Sequence, residues 1–171
     1  FGRLERYKGI VDLLTAETML SNREQGKRLV LAGPGSPAGV DLATLSSGVE
    51  VRNRLIHDME AIDLFQHCGV LVLPYLDATQ SALVAAAYYF NKPVIVTRTG
   101  ALPEYVQEGL TGWVVPPGDP AALAACLEEA LADPARLQRM GSAGRAWYDD
   151  QRRWEARTLR TMYETAVTGA R

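Results

Sequence analysis

The sequence predicts an α/β fold built on a central parallel sheet, and three observations predict it. First, short apolar runs recur, among them Arg28-Leu29-Val30-Leu31-Ala32, Val70-Leu71-Val72-Leu73 and Pro93-Val94-Ile95-Val96. Continuous runs, rather than strict apolar–polar alternation, mark strands covered on both faces. Second, segments with helical spacing stand between the runs, which is the order of βαβ units. Third, 171 residues with 47% hydrophobic and 22% charged side chains suit one domain with its own core.

The elements follow in order. Phe1-Gly2-Arg3-Leu4 reads as the end of a strand, so a piece of a longer protein is expected. Ile10 to Leu20 carries an apolar stripe through Ile10, Leu13 and Leu14 and is expected to be helical. Polar Asn22 to Lys27, with Gly26, ends it. The run from Arg28 to Ala32 is a buried strand stopped by Gly33-Pro34-Gly35. Ser36 to Gly48 is a loop with at most one turn of helix around Asp41 to Leu45. Val49-Glu50-Val51 is a strand. Asp58 is placed to cap a helix from Met59 to His67. Val70 to Leu73 is a strand closed by Pro74. Thr79 or Ser81 opens a helix through Phe90, and Pro93 to Val96 is the next strand. Leu102 to Gln107 is a short helix with Gly109 beyond it. Gly112 to Val115 is a strand. Asp119, with Pro120 at the first helical position, starts a helix striped by Leu123, Leu127, Ala130 and Leu131. Two further helices are expected, Ala135 to Tyr148 and Arg152 to Val167.

Charge and composition exclude several classes. A formal net charge of −2 lacks the basic surplus of a nucleic-acid binder. The two cysteines, Cys68 and Cys126, sit in apolar surroundings and read as small buried hydrophobes. No apolar run is long enough to span a bilayer, and the charged opening residues do not resemble a signal peptide. His67, late in its helix, reads as partly buried and structural. His57 lies in a strand-end loop, but no carboxylate at useful spacing flanks both histidines, so no metal cluster is expected.

Ligands of an open parallel sheet bind beyond the carboxyl ends of the strands. The residues there are Arg3 and Lys8, then Gly33 to Ser36, then Asn53 to His57, then Asp77 to Ser81, then Arg98-Thr99-Gly100 and Glu104. The Thr79-Gln80-Ser81 turn leads from a buried strand into a helix. Helix-start amides carry partial positive charge and suit a phosphate, and two hydroxyls add donors. Plain N-capping explains the same residues equally well. Arg3 and Lys8 supply cations for a diphosphate, or are simply solvated surface. Gly33-Pro34-Gly35 is neither GxGxxG nor a Walker sequence and alone reads as a tight turn.

The ordered series Gly-Arg-Leu-x-x-x-Lys-Gly (from Gly2), Leu-Val-Leu-Ala-Gly-x-Gly (from Leu29), Leu-Val-Leu-Pro (from Leu71), Thr99-Gly100-Ala101-Leu102-Pro103-Glu104 and Glu108-Gly109-Leu110-Thr111-Gly112-Trp113 resembles one family. It is similar to the C-terminal, donor-binding domain of retaining glycosyltransferases of the GT-B fold, the group 1 or family 4 set, over almost the whole chain. The resemblance implies a Rossmann-like three-layer sandwich, the C-terminal half of a GT-B fold. It implies that Arg3 and Lys8 hold the donor diphosphate and that Gly33 and Gly35 turn near the nucleotide. It implies that Asn53, Arg54, Leu55 and Ile56 frame the base and that Thr79, Gln80, Ser81 and Ala82 receive the phosphate. One departure is plain. The family's pair of glutamates, eight positions apart, falls on Ala78 and Ala86. Asp77 is one position off the first and nothing replaces the second, although a subgroup of the family carries an Ala-Thr-Gln-Ser turn.

What the resemblance implies chemically is transfer of a sugar from a nucleotide-diphosphate donor with retention. Arg3, Lys8 and the helix-start amides would stabilise the departing diphosphate, with no metal and no cofactor. The acceptor site would lie on an N-terminal domain outside this chain, leaving the domain alone inactive. Residues 136 to 171 hold eight arginines against four acids, a balance of +4 that leaves −6 for residues 1 to 135. With Trp147 and Trp154, these basic helices fit packing on a partner domain or contact with an anionic membrane. The expected place of work is the cytoplasm, including the inner membrane face. A non-catalytic binding module and a sugar-nucleotide epimerase relative stay open beside the transferase.

Overall fold

The computed structural model describes residues 1–21, 28–36, 40–41 and 45–168. The polar stretch 22–27 and most of the turn expected around Asp41 to Leu45 therefore lie outside the described residues. All the described strands run parallel. β1 (Leu29–Ala32) pairs with β2 (Val49–Arg52), and Leu29 stands opposite Val49. β3 (Leu71–Leu73), β4 (Val94–Thr97) and β5 (Gly112–Val115) form a second ladder, with Leu71 opposite Val94 and Val94 opposite Gly112. The described strands thus form two ladders, β1-β2 and β3-β4-β5. The opening residues extend the first ladder, as expected of a strand end. Gly2 N donates to Ala32 O and Leu4 N to Pro34 O, both at 2.9 Å.

Five helices cover the two faces among the described residues: α1 (Ile10–Met19), α2 (Asp58–His67), α3 (Ala82–Tyr89), α4 (Pro120–Ala132) and α5 (Pro134–Thr168). Strand alternation sorts the core. Ile95 and Trp113 join Leu13, Leu14, Leu123 and Leu127 beneath α1 and α4. Val94 and Val96 join Phe65, Val84 and Tyr88 beneath α2, α3 and α5. Val94, Ile95 and Val96 are fully buried, and each such side chain contributes roughly 1.5–3 kcal/mol. α4 begins as expected: Asp119 Oδ1 accepts from Ala122 N at 2.9 Å, and Pro120 follows.

The C-terminal segment departs from expectation. It is one helix, α5, rather than two. Asp149-Asp150-Gln151, where a break was expected, contains no glycine or proline to stop a helix. Ion pairs Arg145–Asp149 and Arg153–Asp150 bridge the same turns. α5 seats closely on α3 through two glycines. A Cβ at Gly141 would fall 1.9 Å from Asn91 O, and one at Gly144 would fall 2.4 Å from the Tyr88 ring. Beyond Gln151 the helix leaves the body, with Trp154, Met162, Tyr163 and Val167 all more than half exposed.

Smaller corrections have local causes. Asp58 is the first residue of α2, while His57 occupies the cap without a side-chain bond. The acid still faces the helix's positive end. Leu102 to Gln107 is only a 3-10 turn, Leu102–Tyr105, because Thr111 Oγ1 takes the Gln107 amide. His67 is exposed, not partly buried, and pairs with Asp63 at 3.1 Å. Cys126 is buried as expected; Cys68 is half-buried, and both are free thiols. Burial raises both thiols, Cys126 to about 12. No described helix is long and apolar enough to cross a membrane.

Candidate functional site

The carboxyl ends of the strands carry the candidate residues, and glycines set how closely these loops approach. After Leu4 the chain makes a 3-10 turn, Arg6–Lys8, ended by Gly9 at φ 63°. A Cβ at Gly9 would lie 1.7 Å from Pro74 O, so only glycine lets this turn rest on the end of β3. Leu76 N donates to Tyr7 O at 2.8 Å and completes the join. Lys8 is thereby placed with its Nζ 3.9 Å from the centre of the Tyr75 ring and 5.1 Å from that of Tyr7. Among the described residues no carboxylate lies within ion-pair distance of Lys8. Aromatic faces hold the ammonium while leaving its charge uncancelled.

Tyr75 links this cation to the helix start. Its ring is buried, and its hydroxyl lies 3.4 Å from Ser81 Oγ. Its carbonyl accepts a bond from the buried Thr97 hydroxyl at 2.5 Å. Sequence reasoning missed Tyr75. The signal available was an aromatic residue directly after the strand-closing Pro74. Ser81 is the N-cap of α3, accepting from Leu83 N at 3.3 Å. The capping reading of this residue is therefore realised, and its oxygen is already engaged. Thr79 and Gln80 are exposed beside it, as are Asp77 and Ala82. Gly100, at φ 51°, closes against this loop: its Cβ would fall 1.7 Å from Ala78 O, and Ala101 N donates to Thr79 O at 2.9 Å. The Asp77-to-Ser81 loop is thus held from both sides.

Arg3 is exposed and pairs with Glu5 at 3.6 Å, a weak surface contact. Arg3, Lys8 and Tyr75 line one cavity of about 850 Å³, which continues down between β1 and β3. Gly33 and Gly35 form a second group with Asn53. Gly33 N donates to Arg52 O, and Gly35 N donates to Asn53 Oδ1, both at 3.0 Å. A side chain at Gly33 would strike Gly2 O at 2.0 Å. Arg54 is committed elsewhere, forking onto Glu60 at 2.7 and 2.8 Å. That contact, reinforced by Arg52, holds the Glu60 carboxyl below the usual range. Leu55 is 69% exposed beside it, and Ile56 is half-buried.

The structure therefore joins Lys8 to the Asp77–Ser81 loop through Tyr75, and joins Gly33–Gly35 to Asn53. The alanines at 78 and 86 are half-buried against the α2–α3–α5 core, while Asp77 is exposed one position earlier. Arg98, directly after β4, and Glu104, in the Leu102–Tyr105 turn, are exposed. Among the described residues no three His, Cys, Asp or Glu side chains cluster as a metal site would need.

Comparison with known proteins gives a consistent result. Residues 1–133 match the family model described as glycosyl transferases group 1. D-inositol 3-phosphate glycosyltransferase of Streptomyces bingchenggensis is 29% identical over 186 residues, covering 99% of this chain and 40% of that protein. Sucrose-phosphate synthase of Thermosynechococcus elongatus superposes with TM-score 0.76 and 26% identity, covering 98% of this chain and 46% of that one. Anabaena HepE, solved with UDP, shares the fold at TM-score 0.76 and 18% identity, covering 94% of this chain and 48% of its own. The chain spans between 33% and 42% of the length of the first curated relatives it matches.

Proposed function

The chain belongs to the group 1 glycosyl transferases, and on that premise we propose that it binds a nucleotide-diphosphate sugar at the carboxyl ends of its strands, as the donor domain of a retaining transferase. The observation that carries this is the Lys8–Tyr75–Ser81 arrangement: an uncancelled ammonium stacked 3.9 Å over a buried ring whose hydroxyl meets the start of α3. HepE was solved with UDP, which supports a nucleoside diphosphate as the ligand class.

Charge accumulates on the diphosphate as the glycosidic bond breaks. Lys8, held by aromatic faces, and Arg3, free to swing from its weak pair with Glu5, would meet that charge. The exposed Thr79 hydroxyl and the Ala82 amide, which the Ser81 cap does not use, add donors. Because Lys8 and the donors at the start of α3 are in place before bond cleavage, they act by preorganised electrostatics, and Arg3 joins them on binding. Two cations next to the diphosphate can do what a divalent metal would otherwise do, so we read the reaction as metal-independent and needing no cofactor. Gly33 and Gly35, braced by Asn53, would let the backbone approach the nucleotide, with exposed Leu55 beside the base. The acceptor would come from another domain of the whole protein, and the bare end of α5, with Trp154 and Met162, is the surface we assign to packing on it. We place this work on the cytoplasmic side.

A second reading keeps the fold and the ligand but not the turnover. Ala78 and Ala86 stand where the resemblance expects carboxylates, and Asp77 points to solvent one position earlier. Product analysis on the full-length protein with labelled UDP-, GDP- and ADP-sugars separates the two. A transferred sugar with retained anomeric configuration is expected. Binding without transfer would establish the second reading, and no binding of any of the three would overturn both.

A further inference from the structure

We infer, on the donor-site reading above, that Tyr88 is a positioning residue for that site: its hydroxyl fixes the Leu102–Tyr105 turn, and that turn holds the loop carrying Thr79. The loop from Asp77 to Gln80 has little of its own to fix it. Asp77, Thr79 and Gln80 are exposed, and Ala78 alone of the four packs on the core. Among the described residues, the backbone bond that ties this loop to the rest of the fold runs from Ala101 N to Thr79 O, at 2.9 Å. Gly100 seats beside it, since a Cβ there would fall 1.7 Å from Ala78 O and 2.8 Å from Thr79 O. Whatever fixes Ala101 therefore fixes where the Thr79 hydroxyl stands.

Ala101 caps the 3-10 turn Leu102–Tyr105, and the turn is anchored at its other end. Fully buried Leu102 seats it in the core. Tyr105 O accepts from the Tyr88 hydroxyl at 2.9 Å, and that hydroxyl also meets Thr111 Oγ1 at 2.8 Å. Since the Tyr88 proton goes to Tyr105 O, Thr111 donates to the Tyr88 oxygen. Thr111 Oγ1 in turn accepts from Gln107 N at 2.9 Å. Each hydroxyl thus donates once and accepts once. Tyr88 and Thr111 are fully buried, where an unmet partner is costly and a closed network is stiff. Burial pushes the Tyr88 phenol up to about 12, so it keeps the proton it donates throughout the neutral range. Two contacts leave its ring no other seat. Trp147 of α5 lies edge-on at 5.7 Å, and at Gly144 even a methyl would fall 2.4 Å from the ring. Phenylalanine would fill the same apolar space, so what the hydroxyl adds is its hold on the turn. Tyr88 stands seven residues after Ser81 on α3, two helical turns or roughly 10 Å away, and acts on the loop only through that hold.

Amide hydrogen exchange and calorimetric titration of the full-length protein with UDP, GDP and ADP test this. In Tyr88→Phe the Ala101 amide is expected to exchange at least about tenfold faster than in wild type. The Kd for whichever nucleotide binds wild type is expected to weaken roughly 3- to 10-fold. Thr111→Val breaks the same network from its other side and should match Tyr88→Phe, whereas Thr111→Ser keeps the hydroxyl and should stay near wild type. Leu127→Ala weakens the core beneath α1 and α4 instead, and its Kd should equal that of wild type under conditions where every variant is folded. Wild-type exchange or wild-type Kd in both Tyr88→Phe and Thr111→Val would overturn the inference, as would an equal loss of affinity in Thr111→Ser or Leu127→Ala. A wild-type protein that binds none of the three nucleotides would remove the donor-site reading and this role with it, so the two failures are told apart.

Discussion

Replacing Lys8 by methionine tests the electrostatic core of the proposed site. The substitution keeps the aliphatic stem that crosses Tyr75 and removes the ammonium held 3.9 Å above that ring. Against a diphosphate, one charge-assisted hydrogen bond is worth about 1.5–3 kcal/mol. That corresponds to a roughly 10- to 150-fold weaker Kd for a nucleoside diphosphate. The cost to folding should be modest, since a cation–π contact between half-buried Lys8 and buried Tyr75 contributes about 1–2 kcal/mol. Calorimetric titration of the full-length protein with UDP, GDP and ADP measures the first effect, and thermal melts measure the second. Arg54→Ala is the control, because its guanidinium is spent on Glu60. If Lys8 stabilises the leaving group, kcat falls further than KM rises. An unchanged Kd in Lys8→Met, or an equal loss in Arg54→Ala, would refute the reasoning.

Other consequences follow from the packing. Tyr88→Phe removes the hydroxyl that donates to Tyr105 O at 2.9 Å and meets Thr111 Oγ1 at 2.8 Å in the core; a loss of about 1–3 kcal/mol is expected, read as a lower urea midpoint, and an unchanged midpoint would refute it. Gly144→Ala should push α5 off α3, because the new methyl would sit 2.4 Å from the Tyr88 ring; a melting temperature equal to wild type would show that the helices are not so tightly seated. Glu60, Glu128, Glu129 and Asp133 are all held below the usual carboxylate range, by Arg54, Ser21, Trp113 and the Arg136 amide respectively. A depressed carboxyl stabilises the fold above its unfolded value and loses that contribution as pH falls through its folded value. Stability should therefore hold from pH 7 to about 5 and decline below about 4; a decline already complete above pH 5 would contradict these pairings. Trp154→Ser with Met162→Ser should lower the melting temperature of the full-length protein if α5 packs on another domain, whereas flotation of wild type with anionic liposomes would instead assign that face to a membrane.

Much of this was legible in the residues, and the failures have physical causes. The runs at Leu29, Leu71, Val94 and Gly112 announced buried parallel strands, because both faces of each are covered. Asp119-Pro120 announced α4, because cap and fixed φ act locally. The grouping of the strands into the β1-β2 and β3-β4-β5 ladders was not legible, since pairing partners depend on which strands are brought together, not on any run by itself. The length of α5 was missed because Asp149 and Asp150 looked like a break, yet they sit within reach of Arg145 and Arg153 on neighbouring turns. At the site, Lys8 and Ser81 were named from charge and capping. Tyr75, which connects them, was overlooked because an aromatic after a strand is usually core, and here it is both buried and in contact with the site. Arg54 illustrates the reverse: its position suggested a ligand contact, while Glu60 on the next helix takes its guanidinium.

The most direct test of the donor-site account is a crystal structure of the full-length protein with a bound nucleoside diphosphate. The account predicts the diphosphate between Lys8 and the start of α3, with Arg3 turned from Glu5 toward it and the nucleoside running past Gly33–Gly35 to Leu55. A diphosphate seated on the arginines of α5, or one that leaves Lys8 untouched over Tyr75, would contradict it.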